Sequence, residues 1–142
     1  MSEATIRHGG CLCGAIRFRT TGETLGASHC HCRMCQRATG QPSVAWAAFM
    51  AANFEVLRGA IKDYASSSWA TRGFCARCGS PLTFRYVEDG RPMVDVTVAS
   101  FDDPADLQPT KHLWTESAVP WLAGMDTHLP RFARSSSGTP TS

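Results

Sequence analysis

All seven cysteines of this chain lie in three short clusters, and their spacing constrains the fold more than any other feature. The clusters are a C-x-C pair, a C-x-x-C pair and a C-x-C-x-x-C triplet, formed by Cys11/Cys13, Cys75/Cys78 and Cys30/Cys32/Cys35. The total is odd, and C-x-C spacing poorly suits the Cα separation and direction that a disulfide needs. The pattern therefore favours metal binding over a disulfide framework, as expected in a reducing compartment.

The two pairs together supply four thiolates, which is the ligand set of a closed, structural Zn²⁺ site. Cys75 and Cys78 come from one tight turn, in which Gly79 lets the backbone double back. Cys11 and Cys13 come from near the start of the chain, so a shared metal would close a long loop and contribute much of the folding free energy. A thioredoxin-type redox role for Cys75 and Cys78 is disfavoured because no βαβ pattern surrounds them.

The triplet supplies only three thiolates, and metal sites with an open position are usually those where chemistry occurs. The sequence leaves the fourth ligand open: water, a substrate thiol, or one of the histidines His29 and His31. In extended chain His31 points away from the face that Cys30 and Cys32 share, so we expect it beside the metal, as a candidate proton carrier. A thiolate-rich zinc is a weak Lewis acid but binds another thiol well. Zinc deaminases are disfavoured because neither their H-x-E nor their P-C-x-x-C pattern occurs.

Two arginines beside the triplet are candidate substrate-binding residues. Arg33 and Arg37 lie four residues apart and share a face on a helical turn, where they can bind the carboxylates of a thiol substrate. The simpler alternative, which we favour, is that they balance the anionic zinc site or lie in solvent. Four tryptophans can likewise line a pocket, although such residues more often belong to a core: Trp46, Trp69, Trp114 and Trp121.

Length and composition indicate one ordinary globular domain. The chain has 142 residues, and we predict a single zinc domain over residues 1–133 with a disordered polar tail at 134–142. No apolar run reaches the length of a membrane helix, and residues 1–5 carry no basic-then-apolar leader, so we expect a cytoplasmic protein. Seven metal-bound thiolates would turn the formal net charge of +2 slightly negative, and no basic run favours nucleic-acid binding.

Alternating apolar and polar residues predict a mainly β fold with short helical turns. Strands are expected over residues 15–20, 27–30, 43–49, 54–58, 62–65, 69–74, 82–86, 93–98 and 111–114. A short helix is expected over residues 34–39. Asp89-Gly90 predicts a hairpin between the strands on either side of it, and residues 120–121 and 129–132 are expected to be packed irregular chain.

Five motifs cover nearly the whole domain, from about residue 8 to residue 132. They are Gly10-Cys11-Leu12-Cys13-Gly14, Cys30-His31-Cys32-Arg33-Met34-Cys35 with Gly40, Arg72-Gly73-Phe74-Cys75-Ala76-Arg77-Cys78-Gly79-Ser80, Asp102-Asp103-Pro104, and His112 with Pro120-Trp121 and Leu129-Pro130. In kind and in order they resemble the glutathione-dependent formaldehyde-activating enzyme family, also called the Gfa or centromere protein V-like family.

The resemblance implies a mainly β, Mss4-like fold, known as a β-tent, that is built around zinc sites. It implies two Zn²⁺ ions per chain, a structural one and a catalytic one, bound respectively by Cys11, Cys13, Cys75 and Cys78 and by Cys30, Cys32 and Cys35. It also implies a carbon–sulfur lyase whose partner is a small-molecule thiol. In the named family activity, glutathione and formaldehyde are joined to give S-(hydroxymethyl)glutathione.

Two other functions stay open at this point. In the first, both zinc ions are structural and the fold presents a surface to a protein or nucleic acid, which predicts that a side chain such as His29 or His31 closes the second site. In the second, the triplet is the releasable zinc store of a redox or metal sensor. The enzyme hypothesis differs in leaving one metal position open for a substrate thiol. The sequence makes no prediction of the oligomeric state.

Overall fold

The computed structural model describes residues 4–87, 92–124 and 128–141. Over these ranges the chain forms mostly strands, which are β1 (Ile6–Gly10), β2 (Arg17–Thr21), β3 (Gly26–Cys30), β4 (Val44–Met50), β5 (Phe54–Arg58), β6 (Lys62–Ser67), β7 (Ala70–Phe74), β8 (Pro81–Tyr86), β9 (Met93–Thr97), β10 (His112–Leu113), β11 (Arg131–Phe132) and β12 (Pro140–Thr141). The same ranges contain the α-helix α1 (Arg33–Thr39) and 3₁₀ turns at Ala51–Asn53, Val98–Ser100, Thr115–Ser117 and Pro120–Gly124. None of the helices in this part of the chain has the length and hydrophobicity to cross a membrane. The mainly β fold class predicted from the sequence is confirmed.

Two sheets carry the fold, and both are largely antiparallel. The smaller has the strand order β1-β2-β5, and the larger has the order β10-β3-β4-β9-β8-β7-β6. Edge strand β10 runs parallel to β3, which puts His112 beside His29 and Leu113 beside Cys30. This parallel edge brings a late segment of the chain next to the end of β3, where the cysteine triplet begins.

The core lies between the two sheets because apolar side chains alternate along their strands. Phe18 of β2 is fully buried, and its ring centroid lies 5.3 Å from that of Phe54 and 5.2 Å from that of Phe101. Val94 and Val96 of β9 bury their side chains in the same cluster, which joins the two sheets. Burial of side chains of this kind stabilises a fold by about 1.5–3 kcal/mol each.

Gly9 permits a close approach of β1 to this core. A Cβ atom built at that position would lie 2.9 Å from the Cα atom of Phe101, closer than real Cβ contacts come. Because the side chain is absent, β1 can pair with β2 and bridge to Phe101 at the same residue. A larger residue there is expected to push β1 away from the core.

Side chains that alternate with the core residues lie on the opposite, outer face of the large sheet. Asp95 of β9 pairs with Phe84 of β8, and Phe84 pairs with Arg72 of β7, so the three share one face. Trp46 of β4 lies on the same face, and α1 packs beside it through the buried side chain of Cys35. This outer face, rather than the core, carries the candidate site.

The predicted strands are found within two residues of their expected bounds, and the helix begins at Arg33 instead of residue 34. The hairpin predicted at Asp89-Gly90 lies outside the described residues, although β8 and β9 do pair in antiparallel fashion. Agreement is best where a strand alternates over five residues or more, which is long enough to show a period of two.

Two segments expected to be irregular have regular structure. Pro120–Gly124 forms a 3₁₀ turn, and Arg131–Phe132 pairs with Pro140–Thr141. A two-residue strand has no periodicity that a sequence could reveal. The second strand of this pair lies in the predicted disordered tail, where residues 134–141 are exposed throughout, and the disorder of 134–142 itself stays a prediction.

Candidate metal centres and the adjoining cleft

The four cysteines of the two pairs come together, and we call this group the four-cysteine site: Cys11, Cys13, Cys75 and Cys78. Their Sγ atoms all lie within 4.8 Å of one another, with Cys11 3.6 Å from Cys13 and Cys13 3.9 Å from Cys75. Four sulfurs bound to a tetrahedral Zn²⁺ at about 2.3 Å lie about 3.8 Å apart, so these separations fit that ion. All four are free cysteines, not disulfides.

The C-x-x-C turn folds back through its glycine. Gly79 adopts φ +80° and donates its N–H to the carbonyl oxygen of Cys75 at 2.8 Å. The N–H of Cys78 donates to the Sγ atom of Cys75 at 3.4 Å, and the Ser80 hydroxyl lies 3.1 Å from the Sγ atom of Cys78. Hydrogen bonds from Ser80 lower the pKa of the Cys78 thiol to about 5, which favours the thiolate that a metal requires.

The N-terminal pair is held against this turn by hydrogen bonds of the same kind. The Sγ atom of Cys11 accepts the N–H of Ile16 at 3.2 Å. The N–H of Leu12 donates to the Ser80 hydroxyl at 3.0 Å, so Ser80 contacts both halves of the four-cysteine site. Cys11 and Cys75 are buried. The site therefore ties the start of the chain to its middle.

The triplet, which we call the three-cysteine site, spans the end of β3 and the start of α1. Cys30 ends β3, Cys32 caps the helix and Cys35 lies in its first turn, and their Sγ atoms lie within 4.8 Å of one another. The Sγ atom of Cys32 accepts the N–H of Cys35 at 3.3 Å, so one cysteine is both a candidate ligand and the helix cap. Among the described residues, no further histidine, cysteine or carboxylate belongs to this group.

Arg72 is the charged partner of the three-cysteine site. Its Nη1 and Nη2 atoms each donate to the Sγ atom of Cys35 at 3.6 Å, and its guanidinium lies 4.9 Å above the centroid of the Phe84 ring. Hydrogen bonding with Cys30, assisted by Arg72, lowers the pKa of the Cys35 thiol to about 5, and the same pairing raises the pKa of Cys30. The site therefore carries thiolate charge at neutral pH.

A cleft of about 330 Å³ opens beside the three-cysteine site, and all three of its cysteines border the cleft. Its floor is the outer face of the large sheet, where Trp46, Phe84 and Asp95 lie. Helix α1 forms one wall, and Leu113 and Trp114 form another. None of the cysteines of the four-cysteine site borders this cleft. Of that site, Cys13 is exposed and Cys11 lines a separate groove, so the two sites face different clefts and differ chiefly in their number of sulfurs.

Asp95 is the one carboxyl among the described residues that line the cleft. Burial, together with the negative charge of Cys35, raises the pKa of this carboxyl to about 6. A carboxyl with a pKa in that range can both give and accept a proton near neutral pH.

His31, the predicted proton carrier, lies apart from the cleft. Its side chain is 4% exposed, its Nε2 atom lies 2.8 Å from the Nδ1 atom of His112, and it does not line the cleft. Burial, and then the neighbouring His112, lower the pKa of His31. Its Nδ1 atom has no hydrogen-bond partner among the residues that the structure describes. Its role in proton transfer stays a prediction.

The two arginines named as candidate substrate-binding residues, Arg33 and Arg37, do not line the same cleft. Arg33 lines the cleft, and its side chain donates to the Oε1 atom of Gln36. Arg37 instead lines a neighbouring groove on the other side of Met34. Only Arg33 of this pair is therefore in position to contact a molecule in the cleft, and substrate binding by either stays a prediction.

Three residues that line the cleft were not predicted as site residues from the sequence: Arg72, Phe84 and Asp95. Asp95 lies between two apolar residues of β9, a pattern that normally indicates a side chain facing solvent. The alternation correctly puts Phe84 and Asp95 on the face opposite the core, but it does not reveal that α1 and the 113–114 segment cover that face. The tryptophans that line the cleft are Trp46, Trp69 and Trp114, whereas Trp121 does not.

Comparison with known proteins finds a matching family model, similar curated proteins and similar solved structures. A model of the family described as glutathione-dependent formaldehyde-activating enzyme matches residues 6–117. An uncharacterized lyase of Schizosaccharomyces pombe is 36% identical over 84 residues, which cover 59% of this chain and 61% of that protein. The chain thus spans about three fifths of that relative's length. A crystal structure of a Rhodobacter sphaeroides protein has a TM-score of 0.56 and 26% sequence identity, over 74% of this chain and 98% of that one.

The matched range contains both cysteine sites, helix α1 and strands β1 to β10. The mainly β fold and the two metal-competent cysteine groups agree with the match. Because the family model covers well over half of the chain, this protein belongs to the glutathione-dependent formaldehyde-activating enzyme family.

Proposed function

We propose that this protein is a zinc-dependent carbon–sulfur lyase that forms and breaks the adduct of a thiol with a small carbonyl compound. The reaction resembles the synthesis of S-(hydroxymethyl)glutathione from glutathione and formaldehyde. Family membership and a relative named as a lyase support a lyase-type activity. The proposal depends chiefly on one observation: one cysteine site has four sulfurs, whereas the other has three and borders a cleft.

The donor atoms of both sites suit Zn²⁺, which prefers thiolate sulfur in tetrahedral arrangement. A structural ion would be held by the four-cysteine site and a second ion by the three-cysteine site, two per chain. When bound at the three-cysteine site, Zn²⁺ would supply a soft Lewis acid that keeps a substrate thiol deprotonated near neutral pH.

The chain's own groups then have separate tasks. Arg72 holds Cys35 as a thiolate through two hydrogen bonds. In the forward direction the substrate sulfur forms a bond to the carbonyl carbon, and the thiol proton ends on the carbonyl oxygen, which becomes a hydroxyl group. Asp95 lines the cleft and can carry this proton, taking it from the thiol and giving it to the oxygen. The reverse sequence breaks the carbon–sulfur bond. His31 is the second candidate for this role.

The binding-module alternative requires a protein side chain as the fourth ligand of the second metal. Neither His29 nor His31 belongs to the group of described residues whose ligand atoms cluster with the three sulfurs. This arrangement favours the enzyme over the module. Glutathione as the thiol and a cytoplasmic location stay predictions.

Cobalt-substituted protein titrated with small thiols, beginning with glutathione, tests the proposal. The matched variant is Cys32→Ser, because serine keeps an acceptor at the helix cap but is a poor ligand for a soft metal. In the wild type we expect one of two bound metals to gain a thiolate-to-cobalt absorption band. We expect the variant to bind one metal, to show no new band or turnover, and to melt cooperatively. If no thiol changes the absorption of either bound metal, the fourth position of the second metal is already filled by a protein side chain. The binding-module function is then favoured over the enzyme.

A further inference from the structure

Aromatic rings cover much of the cleft beside the three-cysteine site. The ring centroids of Trp69 and Tyr86 lie 5.7 Å apart with a stacked angle of 22°, and those of Phe84 and Tyr86 lie 5.1 Å apart at 90°. The ring centroids of Trp46 and Phe84 lie 6.2 Å apart. All four residues line the cleft. Stacked and edge-on rings at these separations form a continuous apolar surface that can accept another ring.

The rings at the mouth of the cleft keep unusually large exposed areas. Trp46 at the floor is 7% exposed, whereas Trp69 is 38% and Trp114 is 61% exposed. Clustered exposed aromatic side chains are uncommon unless they contact a ligand or partner. Trp114 also has a positive φ of 59°, a left-handed conformation that is rare for a bulky residue and tends to occur at functional sites.

The charged groups of the cleft are poorly suited to a tripeptide thiol. Glutathione carries two carboxylates and an ammonium group, and it needs free cations to bind them. Arg33 donates to the neutral side chain of Gln36 and keeps its charge and further N–H donors for one carboxylate, whereas the guanidinium of Arg72 is paired with Cys35. The remaining charged lining residue, Asp95, would repel a carboxylate. The cleft therefore offers one available cation for two carboxylates, beside a larger surface of aromatic rings.

We propose that the thiol substrate of this protein carries an aromatic ring, which lies against Trp69, Phe84 and Tyr86 while its sulfur lies at the three-cysteine site. This inference rests on the proposed function, because it assumes that a thiol enters the cleft. It differs from that function in naming a thiol that carries an aromatic ring, or its carbonyl adduct, as the preferred ligand over glutathione. Stacking and burial of the ring supply the selectivity, and the thiol supplies the anchor.

The experiment compares three thiols on cobalt-substituted wild-type protein: benzyl mercaptan, 2-mercaptoethanol and glutathione. The thiolate-to-cobalt absorption band gives the half-saturating concentration of each, and quenching of tryptophan fluorescence gives a second measure of binding. Burial of a phenyl ring predicts that benzyl mercaptan half-saturates at a concentration lower than that of the other two by about tenfold or more.

Two variants separate ring contact from general effects on the fold. Trp69→Ala is expected to remove most of the preference for benzyl mercaptan and to leave the affinity for 2-mercaptoethanol unchanged. Trp121→Ala is the matched control, because Trp121 is 63% exposed and does not line the cleft. This control is expected to keep the wild-type order of affinities.

The outcomes distinguish the inference from the function beneath it. Equal affinities for the three thiols, tighter binding of glutathione, or an equal loss for all thiols in Trp69→Ala would overturn the inference of an aromatic substrate and leave the lyase proposal intact. No new band with any thiol would overturn the lyase proposal, and the inference with it.

Discussion

The four-cysteine site and the three-cysteine site use the same donor atom but have different surroundings. At the first, the thiolates accept hydrogen bonds from backbone N–H groups and from the Ser80 hydroxyl, which are neutral donors fixed by the turns. At the second, the main donor is the guanidinium of Arg72, and the sulfurs border a cleft. The first set of contacts stabilises a local structure, and the second stabilises charge that a ligand can reach.

This difference shows why counting ligands alone is not enough to assign a role. A complete set of four sulfurs leaves a metal no position for a substrate, so such a site contributes folding energy. A site with only three protein ligands can act on a substrate only if a molecule of suitable size can reach the metal. In this protein a small molecule can reach the three-cysteine site through the cleft on the outer face of the large sheet, where Phe84 and Asp95 lie.

The largest expected effect follows from replacing Cys75 by serine. Structural zinc sites contribute about 10 kcal/mol or more of binding energy, which is comparable to the whole stability of a domain. We expect Cys75→Ser to lose cooperative thermal unfolding and to retain neither metal, whereas Cys32→Ser loses one metal and still melts cooperatively. Circular dichroism and metal-to-protein ratios measure both. A Cys75→Ser protein with wild-type melting and two bound metals would contradict the structural role of the four-cysteine site.

A smaller effect is expected from replacing Arg72 by methionine. Because Arg72 helps to keep the pKa of Cys35 near 5, its loss raises that pKa, and protons then compete with the metal at higher pH. We expect affinity for the second metal to fall by about 10–100-fold and the pH midpoint of its loss to move upward. Chelator competition at several pH values measures this. Arg37→Met is the control, since Arg37 does not line the cleft beside the three-cysteine site; the same shift in both variants would contradict the role of Arg72.

The smallest effect concerns Asp95. Its pKa of about 6 in the folded protein is above the ordinary value of 3.8. Below pH 3.8 the carboxyl is protonated in both the folded and the unfolded protein, so it does not lower the free energy of unfolding. Between pH 3.8 and 6 the free energy of unfolding falls as the pH rises, and above pH 6 the loss is constant. We expect Asp95→Asn to be more stable than the wild type by about 1–2 kcal/mol at pH 7, with a smaller gain at pH 5, and to lose activity.

Urea unfolding of the metal-loaded proteins at pH 5, 6 and 7 measures the difference. Asp63→Asn is a suitable control because Asp63 is exposed on β6 of the same sheet. A gain that is independent of pH, or the same gain in the control, would show that the buried charge of Asp95 is not its cause.

Much of the fold and both cysteine groups could be predicted from the sequence because they depend on short-range patterns. The alternation in β8 and β9 predicts their strands, and Cys75-x-x-Cys78 followed by Gly79 predicts a tight turn that folds back. Association of the two pairs follows from ligand arithmetic, since each pair alone has too few sulfurs for a closed site.

The cleft could not be predicted in the same way because it depends on register and on long-range packing. Arg72 meets Cys35 only because β7 lies beside β8 and α1 lies over the sheet. Trp114 reaches the cleft because β10 pairs in parallel with β3, a contact between segments far apart in the chain. No local pattern in either segment records its partner.

Arg72 lies at the middle of β7 and Cys75 directly follows the strand, with only Gly73 and Phe74 between them. Thr83 and Ile61 pack so closely against Gly73 that a Cβ atom there would lie 2.1 Å from the Oγ1 atom of Thr83 and 2.5 Å from the Cγ2 atom of Ile61. The guanidinium that pairs with the Cys35 thiolate is therefore joined by a short stretch of chain to the turn that a structural ion would fix. Loss of that ion would then be felt at the cleft through Arg72, so its removal is expected to abolish activity and folding together, whereas removal of the second ion is expected to abolish activity alone.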